Sequence, residues 1–345
     1  MTRKLDWQRL LAPAVLVLLY VFFSIFGSNF FSVDYALSIL STSYFIGFMA
    51  IGVTFVIITG GIDLSIGAVM MCGALLGGFA YTQWHWPMWA SLTLAVSIAT
   101  MVGFINGLLI AFLKLPPFIA TLGTMMMSMG GGAIATKVMT MRYPSFGEPG
   151  SLFKEIFYKT GNKFAIPSFP VGALWLLLAI ALAWLLLNRT KFGRYTYAMG
   201  SNFEASRLSG INTRKWQTLV YTLCGFFSGF AGIFYSAVYT SIIPSTGNGL
   251  ELLAIAGVVI GGTSMSGGSG SLIGTIIGVF VMSVLKMGLM SMGLQGQWQT
   301  FFTGAVVIGA VLLDRYRFSR AEQARQGDAM PAGEKKGMFS GWFRA

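Results

Sequence analysis

Apolar runs separated by short polar or glycine-rich interruptions repeat along the whole chain. We read ten of them as spans, at 11–31, 36–58, 63–82, 88–113, 117–136, 169–188, 217–240, 250–264, 269–291 and 297–314. A helix rises 1.5 Å per residue, so roughly 18 or more apolar residues cover the ~30 Å hydrocarbon layer. The run at 250–264 is short and the interruption before Asp63 is ambiguous, which leaves counts of about eight to eleven open. The pattern predicts an all-α polytopic membrane protein with about ten transmembrane helices.

Composition supports that class. Of 345 residues 55% are hydrophobic and only 10% charged, against about 25% charged in a soluble domain. The first run, within MTRKLDWQRLLAPAVLVLLYVFFSIF, exceeds the ~7–15 apolar residues of a signal peptide and no small-residue cleavage site follows, so it reads as an uncleaved helix. Cys72 and Cys224 both lie inside apolar spans and imply no disulfide framework.

The net charge of +12 reports topology rather than nucleic acid, because the basic residues sit between spans and at the two ends. Arg3, Lys4 and Arg9 precede the first span; Arg189, Lys191, Arg194, Arg207, Arg214 and Lys215 follow the sixth; Arg315, Arg317, Arg320, Arg325, Lys335, Lys336 and Arg344 follow the tenth. Ten spans place all three groups on one side, which the positive-inside rule makes cytoplasmic, both termini included. The expected domain is a transmembrane unit over 1–320, followed by a disordered cytoplasmic tail over 321–345. It carries an external loop at 137–168 and a cytoplasmic loop at 189–216. The external loop is basic despite its side, with Lys137, Arg142, Lys154, Lys159 and Lys163 against Glu148 and Glu155. We expect it to form a small cap on the membrane surface, serving as a plain surface loop or as a partner-docking element.

Two interruptions stand out. GGIDLSIG begins at Gly60 and GGTSMSGG at Gly261; both read Gly-Gly-x-x-x-Ser-x-Gly after a β-branched run. Paired Gly-interrupted segments in two halves of a membrane protein point to a repeat lining a transport path, and small-residue packing is the alternative. The span count puts both breaks on the cytoplasmic side, making the repeat parallel; a re-entrant second break would make it inverted. Candidate path residues are Gly60, Gly61, Asp63, Ser65, Thr121, Gly261, Gly262 and Ser266. Asp63 is placed to cap the next helix, accepting from its free N–H groups and favoured by the helix dipole; direct contact with a substrate is the other reading. Glu251, Lys286 and Asn106 fall near span ends, where snorkelling is cheap.

Catalytic chemistry has no residues here. No Gly-x-x-x-x-Gly-Lys-Ser/Thr occurs, and no nucleophile–base pair or metal-ligand spacing appears, so no cofactor or metal is expected. The only histidine, His85, lies in QWHWP, an interfacial aromatic belt. No span carries the acid or histidine ladder of an ion-driven pump.

The most informative polar segment is KFGRYTYAMGSNFEASRLSGINTRKWQ, Lys191 to Gln217. Asn202 is placed to cap a short helix over Phe203–Leu208, and Gly210 to end it in a left-handed turn. An amphipathic helix on anionic lipid is one reading, and a docking knob for a cytosolic partner fits its compactness better. This loop resembles the cytoplasmic coupling segment of permeases in the ribose/xylose/arabinose/galactose class of bacterial ABC importers. GGIDLSIG, TLGTM (Thr121 to Met125) and AGVVIGGTSMSGGSGS resemble the same family in the same order. Ser201 and Ser206 depart from its pattern, small for small.

The resemblance implies a multi-pass permease subunit of the inner membrane, paired with a second copy or a paralogue. Cytosolic ATPase subunits would dock on Gly200, Asn202, Phe203, Glu204, Ala205, Arg207, Leu208 and Gly210, and a periplasmic binding protein would deliver a monosaccharide. A same-family permease for a non-sugar ligand and a stand-alone secondary transporter are the competing hypotheses.

Overall fold

The computed structural model describes residues 7–160, 168–244 and 247–329, with side chains from 11 to 316 within them. The tail beyond Ala329 lies outside the described residues. Helices in chain order are α1 (Trp7–Phe26), α2 (Val33–Ile58), α3 (Ile66–Thr82), α4 (Met88–Ala111), α5 (Pro117–Ala135), α6 (Leu152–Phe157), α7 (Val171–Arg189), α8 (Lys191–Ser201), α9 (Phe203–Leu208), α10 (Thr213–Val238), α11 (Leu250–Ile260), α12 (Leu272–Ser291) and α13 (Gly296–Ala329). A two-residue ribbon, β1 (Met141–Arg142) against β2 (Ser241–Ile242), is antiparallel, with Met141 opposite Ile242.

Among the described residues, seven helices are long and apolar enough to cross a membrane: α2, α4, α5, α7, α10, α12 and the first part of α13. Three shorter apolar helices, Leu11–Phe26, α3 and α11, occupy the other expected positions. The chain is therefore a polytopic helical membrane protein.

α2 is the centre of the bundle. It packs against α10, α12, α11 and α7, and its most apolar 18-residue window is entirely buried. Glycines set the closest approaches: Gly52 abuts the Cys224 backbone, Gly103 the Tyr221 carbonyl, and Gly107 Thr218. A stripe lacking Cβ atoms lets two backbones approach, the device membrane helices use where burial from water supplies no drive.

One expectation is extended and another corrected. The 189–216 loop holds α8 as well as the expected α9; Thr190 starts α8 by accepting from the Phe192 N–H. The chain is also still helical past Ala321, since α13 runs on to Ala329; 321–329 continue the last span as one helix rather than forming an unstructured tail.

The 137–168 loop forms a compact cap over its described part. Tyr143 is buried and donates to the Ala74 carbonyl at 2.7 Å. Lys154 is buried too, its Nζ donating to the Ala237 carbonyl at 3.1 Å and to Thr240 Oγ1 at 2.9 Å. The Ala237 carbonyl belongs to the last turn of α10, where a cation is favoured. Burial pushes the Lys154 amine below its usual pKa, against an opposing pull from Glu148.

Candidate translocation and coupling site

The break after α2 begins as a glycine-terminated helix end. Gly60 adopts φ +77°, its N–H bonds the Ile57 carbonyl at 2.9 Å, and the Gly61 N–H bonds the Val56 carbonyl at 3.1 Å. That crossed pair is the Schellman arrangement, which uses glycine for its left-handed residue. α11 ends the same way: Gly262 has φ +90°, and the N–H groups of Gly262 and Thr263 reach the Val259 and Val258 carbonyls at 2.9 and 3.2 Å. The structural match therefore pairs Gly60 with Gly262, one residue out of step with the sequence match that pairs Gly60 with Gly261. Gly261 instead packs on the Gly274 backbone of α12.

Beyond the turn the two breaks diverge. After α2 the chain re-enters the bundle. Tyr221 Oη donates to the Ile62 carbonyl at 3.3 Å, and the Leu64 N–H donates to Thr121 Oγ1 at 3.2 Å. Asp63 is 1% exposed, and its Oδ1 accepts from the Ser65 N–H at 2.9 Å and the Ser65 hydroxyl at 2.6 Å. Asn106 Nδ2 in turn donates to Ser65 Oγ at 3.0 Å, and Thr124 donates to Asn106 Oδ1 at 2.7 Å. Asp63 therefore does not cap α3 as expected: the N-cap is Ser65, with no side-chain cap bond, and Asp63, three residues before the helix, closes a turn onto Ser65 and anchors a relay through α4 and α5. Asn106 lies five residues from the end of α4 and Thr124 seven into α5, so at 1.5 Å per residue α3 starts about 7–10 Å inside the bundle.

This re-entry makes α3 a part-length helix, and α11 is its counterpart. Their 17 and 11 residues span about 25 and 16 Å, short of the ~30 Å layer. Their starts touch, since a Cβ on Gly67 would meet the Gly247 carbonyl and the Glu251 N–H. From there α3 runs to the β1 end, where Gly78 packs on Met141 and Tyr143, and α11 runs to the Gly261 break. Each start has a carboxylate near it, Asp63 three residues before α3 and Glu251 in the first turn of α11, whose Oε1 accepts from the Gly249 N–H at 3.0 Å. The oppositely directed pair is α3 with α11. Among the polar residues read as snorkelling, Asn106 is fully buried and Glu251 is 8% exposed; both bond inward.

The 261–271 loop turns toward the first break and toward α8. The Gly268 N–H donates to the Ile58 carbonyl, the last of α2, at 2.8 Å. A Cβ on Gly267 would meet Gly60 and the Gly200 carbonyl, and one on Gly200 would overlap the Ile58 carbonyl and the Gly268 N–H. Tyr197 Oη, also on α8, donates to the Gly270 carbonyl at 2.9 Å. Asp314 of α13 accepts from the Met265 N–H at 3.1 Å. Gly60, Gly200 and the second break are thus in direct backbone contact. Ser266 faces Gly60 through its carbonyl, while Gly262 has open space around it.

α9 projects from this joint. Asn202 Oδ1 accepts from the Ala205 N–H at 2.9 Å, Gly210 has φ +84°, and Arg207 pairs with Glu204 at 2.7 Å. Its apolar side chains point outward: Phe203 is 37% and Leu208 81% exposed. Beside it a groove of about 490 Å³ lies between α9 and the 110–117 turn, lined by Lys114, Glu204, Arg207 and Arg214. Sequence reasoning reached the α9 cap and the breaks, read Asn106 as a snorkelling residue near a span end, and missed Tyr197, Gly267, Gly268 and Thr124; the Gly-rich run at 267–270 was the signal available for the second and third.

Residues 35–311 match the family described as branched-chain amino acid transport system / permease component. The chain belongs to that permease family. The permease is 37% identical over 307 residues to the ribose import permease protein RbsC of Escherichia coli strain K12, covering 87% of this chain and 91% of that one. It is 33% identical to the fructose import permease protein FrcC of Rhizobium meliloti, covering 88% and 84%. The autoinducer 2 import system permease protein LsrC of Yersinia pseudotuberculosis is 34% identical, covering 91% and 87%. No solved structure matches the permease. It is a multi-pass protein of the bacterial inner membrane and a transport component rather than an enzyme.

Proposed function

We propose that this permease forms the translocation pathway of a bacterial ABC importer for a monosaccharide. A periplasmic binding protein delivers the sugar and separate cytosolic ATPase subunits supply the energy. The observation that carries this reading is the backbone contact between α8 and both breaks, continued outward by the capped, apolar-tipped α9. A partner that moves α9 moves the ends of α2 and α11 with it. Asp63 shapes the pathway rather than binding the sugar, because Ser65 already occupies its Oδ1 and it is buried.

We read ten crossings with both termini cytoplasmic. Support comes from Asp314 of the last helix meeting the break at the α8 end and from the positive-inside rule applied to the three basic clusters of the sequence. The pathway is completed by a second copy or a paralogous permease. The ribose and fructose relatives favour a monosaccharide, and the autoinducer 2 relative keeps a non-sugar ligand as the second reading.

The test is reconstitution in proteoliposomes with a cytosolic ABC ATPase and a periplasmic sugar-binding protein. Sugar uptake that requires ATP and both partners is the expected result. Uptake by the permease alone, without ATP, overturns the reading in favour of a secondary transporter.

A further inference from the structure

Lys286 is the one ionisable side chain of α12, and it does not snorkel. It is half-buried, and its Nζ lies 5.7 Å from the ring centroid of Phe45, a fully buried residue twelve positions into α2. The amine therefore turns toward the middle of the bundle. Among the described residues no carboxylate pairs with it and no hydrogen bond fixes it. Around Phe45 stand two tyrosines, Tyr235 of α10 at 5.2 Å and Tyr239, the C-cap residue just after α10, at 6.0 Å between ring centroids, with 4.7 Å between the tyrosines themselves. Tyr235 is half-buried and Tyr239 is 36% exposed.

An ammonium with unused donors is not stable against lipid tails; at membrane depth such a group faces protein or a water-filled path. The face shared by α2, α10 and α12 at Lys286 is thus a wet one. Its chemistry is also selective. Aromatic faces take the apolar C–H surface of a ring, and three ammonium donors suit hydroxyl acceptors. A ligand that is apolar on its faces and ringed with hydroxyls fits both halves.

We propose that Lys286, Tyr235 and Tyr239 form a sugar-handling station inside the permease, between the half-helix junction at Gly67 and the β1–β2 end. This rests on the sugar-importer reading above. The station holds the neutral, polyhydroxylated ring after release from the binding protein and before the pathway opens toward α8. It requires no charge on the ligand, and Lys286 supplies donors rather than an ion pair.

The test uses the reconstituted complex with ATPase and binding protein, given radiolabelled D-ribose, D-fructose, D-xylose and D-galactose in turn. Lys286→Met should lower ATP-dependent uptake about tenfold or more, with basal ATP hydrolysis within about twofold of wild type. Lys286→Arg should restore at least about half of the uptake, since it keeps the donors. Tyr239→Ala should change the relative rates among the four sugars, an effect that a merely structural role would not give. Normal uptake in both Lys286→Met and Tyr239→Ala overturns the station while leaving the importer reading intact. So does an equal loss of hydrolysis and uptake in Lys286→Met, or a cross-link from position 286 to a second permease copy that persists during uptake. A wild-type complex that moves none of the four sugars overturns the sugar reading itself, and the station falls with it.

Discussion

At the end of the bundle that carries α8 and α9, three backbones touch through Gly60, Gly200, Gly267 and Gly268, whereas at the β1–β2 end long side chains bridge the gaps. There Lys154 reaches α10, Tyr143 reaches α3, Tyr81 donates to the Pro149 carbonyl and Trp175 to the Ile156 carbonyl. A long side chain has rotamers that absorb small displacements. Backbone against backbone has none, so a shift of α8 must either move α2 and the 261–271 loop or break the contact. The first end is built to transmit motion and the second to tolerate it.

The sharpest way to break that contrast is Gly200→Val. Its side chain would occupy the position of the Ile58 carbonyl and the Gly268 N–H; overpacking of this kind costs roughly 1–3 kcal/mol or more. ATP-driven uptake should fall at least about tenfold, a loss that corresponds to about 1.4 kcal/mol. Gly123→Ala on α5, where an added Cβ meets nothing within 4 Å, should transport normally. Equal uptake by the two variants would refute a transmitting joint.

Lys154→Met probes the other end. It strands the Ala237 carbonyl and Thr240, at a cost of about 1–3 kcal/mol, so thermal unfolding in detergent should come earlier while uptake per folded complex stays near wild type. A pH series sharpens the point. Burial lowers the Lys154 pKa in the folded protein, so the unfolded chain binds more protons at this site. Its contribution to stability then rises with pH between the lowered folded value and the ordinary lysine value. The unfolding midpoint of wild type should climb relative to Lys154→Met from pH 8 toward pH 10, and a gap that narrows over that range would be the wrong sign. The smallest effect is expected from Tyr197→Phe, which removes only the bond to the Gly270 carbonyl, worth about 0.5–1.5 kcal/mol. Uptake should drop no more than a few-fold, and a complete loss would assign that hydroxyl a larger role than bracing.

The contrast also marks what was legible beforehand. Apolar run length placed the helices, because lipid imposes one solution on every span. Asn202, Phe203–Leu208 and Gly210 were readable because a cap and a left-handed glycine are local chemistry. The Gly-Gly-x-x-x-Ser-x-Gly match found both breaks but not their one-residue offset, since several adjacent glycines can each serve as the left-handed residue. Nor did local pattern reveal the meeting of α3 and α11 at Gly67, or the burial of Lys154 and Lys286. Those depend on which distant segments pack together, and a lysine near a span end looks the same whether it reaches out to the interface or in toward Phe45.

α2 poses a problem of assembly order. Residues 41–58 of it are all buried, yet α10 and α12, two of its main neighbours, are synthesised more than 150 residues after it. Until they arrive it must persist among lipid tails. Its hydroxyls are prepared for the wait: Ser41, Ser43 and Thr54 each donate to the carbonyl four residues earlier, Leu37, Ile39 and Ala50. Only afterwards do Ser43 and Thr54 gain Ser283 and Thr275 of α12. The pillar of the finished transporter is thus a segment able to live alone in the bilayer first, and a translocon assay on Val33–Ile58 in isolation should find it inserted.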